Sequence, residues 1–335
     1  MHISAIYNNV RTLACAALLS GVIFYAVSCR DSSAPTTPQP SAPDSTALRI
    51  ALYPSIDALP FALANDWGIF DSLGVRAELA VFRSQMDAEK ALADGQADAV
   101  LTDMFRVGWW QWRGRPMRYS FTTNRQLYIV PNKILRITRP DQLDDRMIAC
   151  TRHSLEDYYT DRLIAKIKNR KGQILCPQIN SVELRLSMLQ AGQLDAAVLG
   201  TLQALKARAE GYPSLKDSSS LEDCRRYAGV AFNTNSLKSK GQKLAKLRTA
   251  YDIAVRRLQL RGEMPQIDSH TRASLFLNGI DSTINVKLDI SLTSSPVAVL
   301  CPVVAQWLNT RNATKNYTAD TLLIQSYREY KEGVK

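Results

Sequence analysis

Two hydrophobic rhythms alternate along this chain. Short apolar runs at Leu48–Tyr53, Val75–Phe82 and Ala99–Leu101 read as strands. Between them, Leu59–Leu73, 83–94 and Phe105–Arg113 carry apolar residues at helical spacing. Met117–Thr122 and Gln126–Val130 are predicted strands that lead out of this first group. The rhythm then resumes. A strand is predicted at Met147–Cys150, a helix at Leu155–Lys168 and a strand at Ile174–Ile179. Helix 181–191, strand 196–199 and helix 201–210 follow. Tyr227–Asn233 reads as a strand returning to the first group, with a helix over 239–262. Ala313–Tyr317 has no periodicity and is expected to be loop. Strands alternating with helices of this length predict parallel-type sheets.

An internal echo divides the pattern in two. Leu92, Gly95, Gln96, Asp98 and Ala99 reappear at constant offset as Leu189, Gly192, Gln193, Asp195 and Ala196. Each copy predicts a helix stopped by a glycine, a turn containing Asp, and a buried strand. That is the second half of a strand–helix–strand crossover. Two such units far apart in the chain predict two related α/β lobes rather than a solenoid.

The ends and composition narrow the setting. Leu13–Val27 is apolar but too short to span a membrane, and it suits the core of a signal peptide. It ends in Ala26-Val27-Ser28-Cys29, which resembles a bacterial lipobox with Ala26 in place of the usual Leu. Residues 1–28 are therefore expected to be a lipoprotein signal peptide and Cys29 the lipidated residue. Residues 29–47, rich in Ser, Thr and Pro, are expected to be a disordered tether. The formal net charge is +11, with Lys and Arg concentrated in 162–171 and 225–261. Solvated helix faces and attraction to anionic lipid both fit that distribution. No aromatic-basic motif suggests nucleic acid. Cys150, Cys176, Cys224 and Cys301 leave free thiols and a disulfide both open. No His or Cys spacing suggests a metal, and no cofactor is expected.

Four stretches carry a family resemblance: LRIALYPSIDALPFALANDWGIFDSLGV from Leu48, the echo pair, the segment Ile137–Ala149, and the loop Thr151-Arg152-His153-Ser154. Together they are similar to the type 2 periplasmic solute-binding proteins of ABC importers, in the nitrate/taurine/thiamine-precursor branch. Asp144 and Asp145 stand where the family's linker favours small residues. The resemblance implies two hinged α/β lobes with a ligand cleft between them. Residues 48–142 plus 230–335 would form the first lobe and 143–229 the second. It also implies a monomer that closes on a small organic solute and docks on an ABC permease with its ATPase. A ligand-sensing adaptor, or an enzyme on the same scaffold, would be alternatives. No paired-carboxylate or Ser/His/Asp arrangement supports catalysis.

Ligands of open α/β sheets sit at strand C-termini and helix N-termini. Candidate binding residues are therefore Ser55 and Asp57 after the first strand, Thr102 and Asp103 after the third, Asn124 on the outward crossing, Arg152, His153 and Ser154 at a helix start, Thr201 after the second echoed strand, and Asn233 at the end of the returning strand. Asp57 and Asp103 suit an amino group or a cap. Arg152 and His153, beside a helix start, suit an anion. Ser154 with Asp157 forms a loose capping box. A solute using both signs of charge, such as a zwitterion, would engage both groups. Met104 and Phe105 are expected in the core. Of Trp109, Trp110 and Trp112, two are expected in the core and one at the surface.

Overall fold

The computed structural model describes residues 46–115, 117–123, 125–215, 224–261, 267, 269–275, 277, 290–311 and 316–324. The expected signal peptide, Cys29 and all of the tether but its last two residues, Thr46 and Ala47, lie outside them, as does Asn124. Residues 46–335 cluster as one compact unit.

Two sheets organise that unit. The first has the order β2-β1-β3-β8-β4, from strands β1 (Leu48–Leu52), β2 (Ala77–Val81), β3 (Ala99–Asp103), β4 (Met117–Thr122) and β8 (Ala228–Asn233). The second has the order β5-β7-β6, from β5 (Leu127–Pro131), β6 (Ile148–Ala149) and β7 (Ala196–Gly200). β1, β2 and β3 are parallel, but β8 runs antiparallel to β3 and β4, and β5 antiparallel to β7. The parallel-type pairing expected from the alternation holds for β1, β2 and β3 and for β6 with β7, and the antiparallel pairs are additions to it. The two strands that cross between the sheets must enter their new neighbours head to tail. β5, expected in the first lobe, pairs in the second sheet. The predicted strand 174–179 makes only isolated bridges, Met147 to Leu175 and Cys150 to Gln178.

Helices follow the strands, and polar caps set their starts. α1 (Leu59–Asp66) and α2 (Ile69–Ser72) replace the single helix predicted over 59–73. α3 (Gln85–Ala93) begins at Ser84, whose hydroxyl accepts the Asp87 N–H at 3.1 Å. α4 (Met104–Trp112) begins at Asp103, and α5 (Leu155–Lys166) at Ser154. α6 (Val182–Gln190) begins at Ser181, and α7 (Thr201–Ala209) directly after β7. α8 (Thr234–Arg261) is kinked at Lys240. α9 (Ser269–Ser274) and α10 (Cys301–Arg311) complete the described helices. Capping matters because a helix's first N–H groups have no partner within the helix.

The echo has a shared geometry. Gly95 and Gly192 each take φ +74°, the left-handed conformation that ends α3 and α6. Asp98 Oδ2 then accepts the Arg49 N–H at 2.9 Å, and Asp195 Oδ2 accepts the Met147 N–H at 2.9 Å. In both lobes the carboxylate holds the start of the neighbouring parallel strand.

The interior is apolar on both faces of the first sheet. One cluster gathers Phe61, Phe70, Phe121, Phe232 and Tyr251 under α1 and α8. Another gathers Met104, Phe105, Tyr158, Tyr227 and Trp307 where α4, α5 and α10 meet. Met104 and Phe105 are fully buried, as expected. The tryptophans differ from expectation, because Trp109, Trp110 and Trp112 are all half-exposed. Trp109 and Trp112 stack at 5.2 Å, and Trp110 is held by a polar bond to Glu89. The cysteines at 150, 176, 224 and 301 are free thiols.

Gly229 sits opposite the bulge in β4, where the register shifts between Tyr119 and Phe121. A Cβ there would collide with the Phe121 carbonyl oxygen and the Tyr119 hydroxyl. Neither the backbone nor a buried ring can give way cheaply. Gly229→Ala is expected to cost at least ~2 kcal/mol in urea unfolding; an unchanged midpoint would contradict this packing.

Candidate functional site

Strand ends bring the site together. β1 runs into Tyr53, Pro54, Ser55 and Asp57; β3 ends at Thr102 and Asp103; the crossing 123–126 passes beside them; α7 of the other sheet begins at Thr201. Contacts tie these segments together. The Thr123 hydroxyl donates to Asp57 Oδ2 at 2.7 Å. Gln203 Nε2 donates across the seam to the Pro54 carbonyl at 3.2 Å. The Arg125 guanidinium lies 5.4 Å from the Tyr53 ring centre and 4.0 Å from Asp103 Oδ2.

The unmet polar atoms are concentrated here. Arg125 is 3% exposed, yet none of its three guanidinium nitrogens makes a hydrogen bond. Asp57 Oδ1, Tyr53 Oη, Thr201 Oγ1 and Gln203 Oε1 are likewise buried and unbonded. Native proteins satisfy nearly all buried polar groups, so five residues with unmet atoms at one seam mark a place built for a polar guest. Burial brings the Arg125 pKa down to about 10, opposed by the Glu156 carboxylate, so the side chain stays cationic at neutral pH.

Beside this cluster runs a network in which only Arg106 Nη2 lacks a partner. Glu89, fully buried, accepts from Thr102 Oγ1 at 2.6 Å, Gln85 Nε2 at 3.0 Å, Arg106 Nε at 2.7 Å and Trp110 Nε1 at 2.9 Å. Asp103 accepts the Arg106 N–H at 3.0 Å and Gln85 Nε2 at 2.7 Å. The Leu155 backbone N–H at the start of α5 in the opposite lobe works to lower the Asp103 pKa. Arg106 Nη1 crosses the same seam to the Arg152 carbonyl at 3.1 Å. Burial first, and the Glu89 charge second, push the Asp103 pKa up to about 7.

The sequence-predicted residues divide accordingly. Asp57, Thr201 and Asp103 lie in or against the cluster. Ser55 is buried beside it, its hydroxyl donating to the Tyr53 carbonyl at 3.3 Å. Thr102 is committed to Glu89. Thr201 does not cap α7, whose N-cap is Gly200. Ser154 caps α5 through the Glu156 N–H at 3.1 Å, and Asp157 accepts from His153 N–H at 2.8 Å, so the capping box does not close. Arg152 is exposed and enters the seam through its backbone carbonyl. His153 has φ +57° and packs edge-on against Trp109 at 3.8 Å. Burial, followed by the charges of Arg106, Arg152 and Arg311, lowers its pKa to about 4. It is therefore neutral near pH 7 and supplies no charge for an anion. Asn233 lies apart from the cluster. Because β8 is antiparallel to β3, its end lies at the opposite edge of the sheet from Asp103, where Asn233 Nδ2 bonds the Leu92 carbonyl at 2.8 Å.

Sequence reasoning missed Tyr53, Gln203, Glu89, Arg106 and above all Arg125. The available signal was an arginine in the short crossing FTTNRQLYIV, flanked on both sides by apolar strands. A separate cavity of about 940 Å³ opens between Ser120, Arg248, Ser295, Cys301, Tyr317 and Leu323. None of the predicted site residues lines it, and the polar cluster is the better candidate because its unmet groups are buried and charged.

No protein-family profile matches the chain, and no curated protein does. Solved structures do. The alkanesulfonate-binding protein SsuA of Xanthomonas axonopodis pv. citri, bound to MOPS, aligns over 83% of this chain and 98% of its own, at 14% identity and a TM-score of 0.67. The periplasmic aliphatic sulphonate binding protein SsuA of Escherichia coli aligns over 84% and 93%, at 16% identity and a TM-score of 0.63. The periplasmic nitrate-binding protein NrtA of Synechocystis PCC 6803 aligns over 64% and 62%, at 12% identity and a TM-score of 0.53. The fold is thus the two-lobed periplasmic-binding type.

The raised pKa of Asp103 has a consequence for stability. The folded state holds this proton more tightly than the unfolded chain, whose Asp titrates near 3.8. The contribution is therefore fully present below about pH 4 and is lost as the pH rises through about 7. The stability of the parent relative to Asp103→Asn is expected to fall between pH 4 and 8 in urea unfolding. A difference independent of pH would contradict the assignment.

Proposed function

We propose that this chain is the solute-binding component of an ABC-type importer, anchored by lipid at Cys29 and facing the periplasm or cell exterior. In this reading the two lobes, one built on β1–β4 and β8 and the other on β5–β7 with α7, close about the crossings that follow β4 and precede β8 on a small organic solute. The closed form docks on the permease. Transport needs no chemical step, only a solute that favours the closed state over the open one. The likeness in fold to sulfonate- and nitrate-binding proteins supports this role, and the lipobox-like Ala26–Cys29 supports the location.

The observation that carries the reading is Arg125. A buried guanidinium without hydrogen bonds costs several kcal/mol in desolvation. An anionic group entering the seam would recover that cost through charge-assisted, two-pronged hydrogen bonds. Asp103, 4.0 Å away and with its pKa raised, only partly neutralises it. The solute class supported is accordingly an organic acid such as a sulfonate or carboxylate.

The test is Arg125→Met, which keeps the bulk and removes the charge. The variant is expected to bind the co-purifying solute at least ~100-fold more weakly by calorimetry, about 2.7 kcal/mol. Its unliganded melting temperature should be unchanged or higher. The solute should leave the parent protein chemically intact by mass spectrometry. Unimpaired binding, or a modified solute, would overturn the proposal.

A further inference from the structure

Among the described residues the buried charges are either closely paired or, like Asp103, bonded at their oxygens to neighbouring donors, with two exceptions. Glu89 pairs with Arg106 at 2.7 Å, Glu156 with Arg185 at 2.9 Å, Asp98 with Lys240 at 2.9 Å and Asp157 with Arg311 at 3.1 Å. Arg106 and Arg185 also spread hydrogen bonds over backbone carbonyls. Two groups stand outside this pattern. Asp57, 2% exposed, meets no cation among the described residues. Burial pushes its pKa up, against the opposing hydrogen bonds of Ser55, Thr123 and its own backbone; the Thr123 hydroxyl donates to Oδ2 at 2.7 Å, and Oδ1 is left unbonded. Arg125 makes no hydrogen bond at all and reaches a carboxylate only at 4.0 Å.

These two exceptions are neighbours. Thr123, which holds Asp57, is two residues before Arg125, and Tyr53, whose ring lies under the Arg125 guanidinium, is four before Asp57. The two do not form an ion pair with each other. Asp57 is fixed toward Thr123 and Arg125 toward Tyr53 and Asp103, leaving an acceptor oxygen on one side and a set of donors on the other. Tyr53 Oη, Thr201 Oγ1 and Gln203 Oε1 supply neutral hydrogen-bonding groups around them.

Building on the cleft reading above, we infer that the solute is a zwitterion, with an acid group meeting Arg125 and a protonated amine meeting Asp57. One molecule carrying both charges neutralises both exceptions. A simple anion satisfies Arg125 and leaves the Asp57 oxygen unmet, which costs as much as any buried, unbonded acceptor. The same logic gives strong discrimination, because a site built for a hydrogen-bonding group rejects the analogue that lacks it.

The test uses the full chain in detergent and matched solutes: propanesulfonate against 3-aminopropanesulfonate, butyrate against 4-aminobutyrate, and butylamine alone. Affinities are read by calorimetry, and the molecule released on denaturation is read by mass spectrometry in both polarities. The amino acids are expected to bind at least tenfold tighter than their amine-free partners, with Asp57→Asn erasing that preference. A released molecule should ionise in both polarities. Amine-free acids binding as tightly as their amino counterparts would overturn the zwitterion while leaving the cleft reading intact. If nothing is released and no member of the set binds, both are overturned.

Discussion

A cationic side chain removed from water without hydrogen-bond partners is the constraint around which the rest of this protein is arranged. Arg125 occupies the short segment where the chain passes from one sheet to the other, so its position is set by both lobes at once. Two other arginines are as deeply buried. Arg185 bonds the Ile179 carbonyl and the Thr151 hydroxyl and pairs with Glu156, which locks the second lobe internally. Arg106 is held by Glu89 and reaches across the seam to the Arg152 carbonyl. The contrast matters because the same residue type, at similar burial, is ion-paired and bonded where it serves the scaffold, with only Arg106 Nη2 left without a partner. It is unengaged only where strand ends of the first lobe face a helix start of the second.

The seam around it has two characters. On one side it is aromatic: Phe105 stacks on Tyr158 at 4.4 Å, with Tyr227 and Trp307 packed against the pair. α10 strengthens that side, because Trp307 Nε1 donates to Asp161 at 2.8 Å and Arg311 pairs with Asp157. On the other side the seam is polar and incompletely bonded. In the proposed function, the polar side registers the solute.

Much of the scaffold was legible in the sequence. The alternation of apolar runs and helical spacing located most elements to within a few residues, because buried strands and capped helices leave strong local signals at positions such as Gly95, Gly192, Ser154 and Asp103. The repeated Gly–turn–Asp units even shared their hydrogen bonds, with Asp98 and Asp195 in matching roles. What the pattern could not give was strand direction. β5 and β8 have ordinary apolar sequences, and only long-range pairing makes them antiparallel. The direction of β8 places Asn233 at the end of the first sheet away from Asp103. The site was legible in part, since Asp57, Asp103 and Thr201 follow strands. Arg125 was not found because an arginine's burial is decided by distant segments, in this case Tyr53, Asp103 and α7. Arg152 looked the better anion partner from its place at a helix start, yet its side chain is exposed.

The most direct measurement is a crystal structure of the protein with the solute it carries when purified. Density for a small molecule should lie between the two sheets, with its acidic group within about 3 Å of the Arg125 guanidinium nitrogens and the 940 Å³ cavity beside Cys301 unoccupied by it. A solute seated in that outer cavity, or an Arg125 whose nitrogens are all bonded to protein groups, would contradict the central claim.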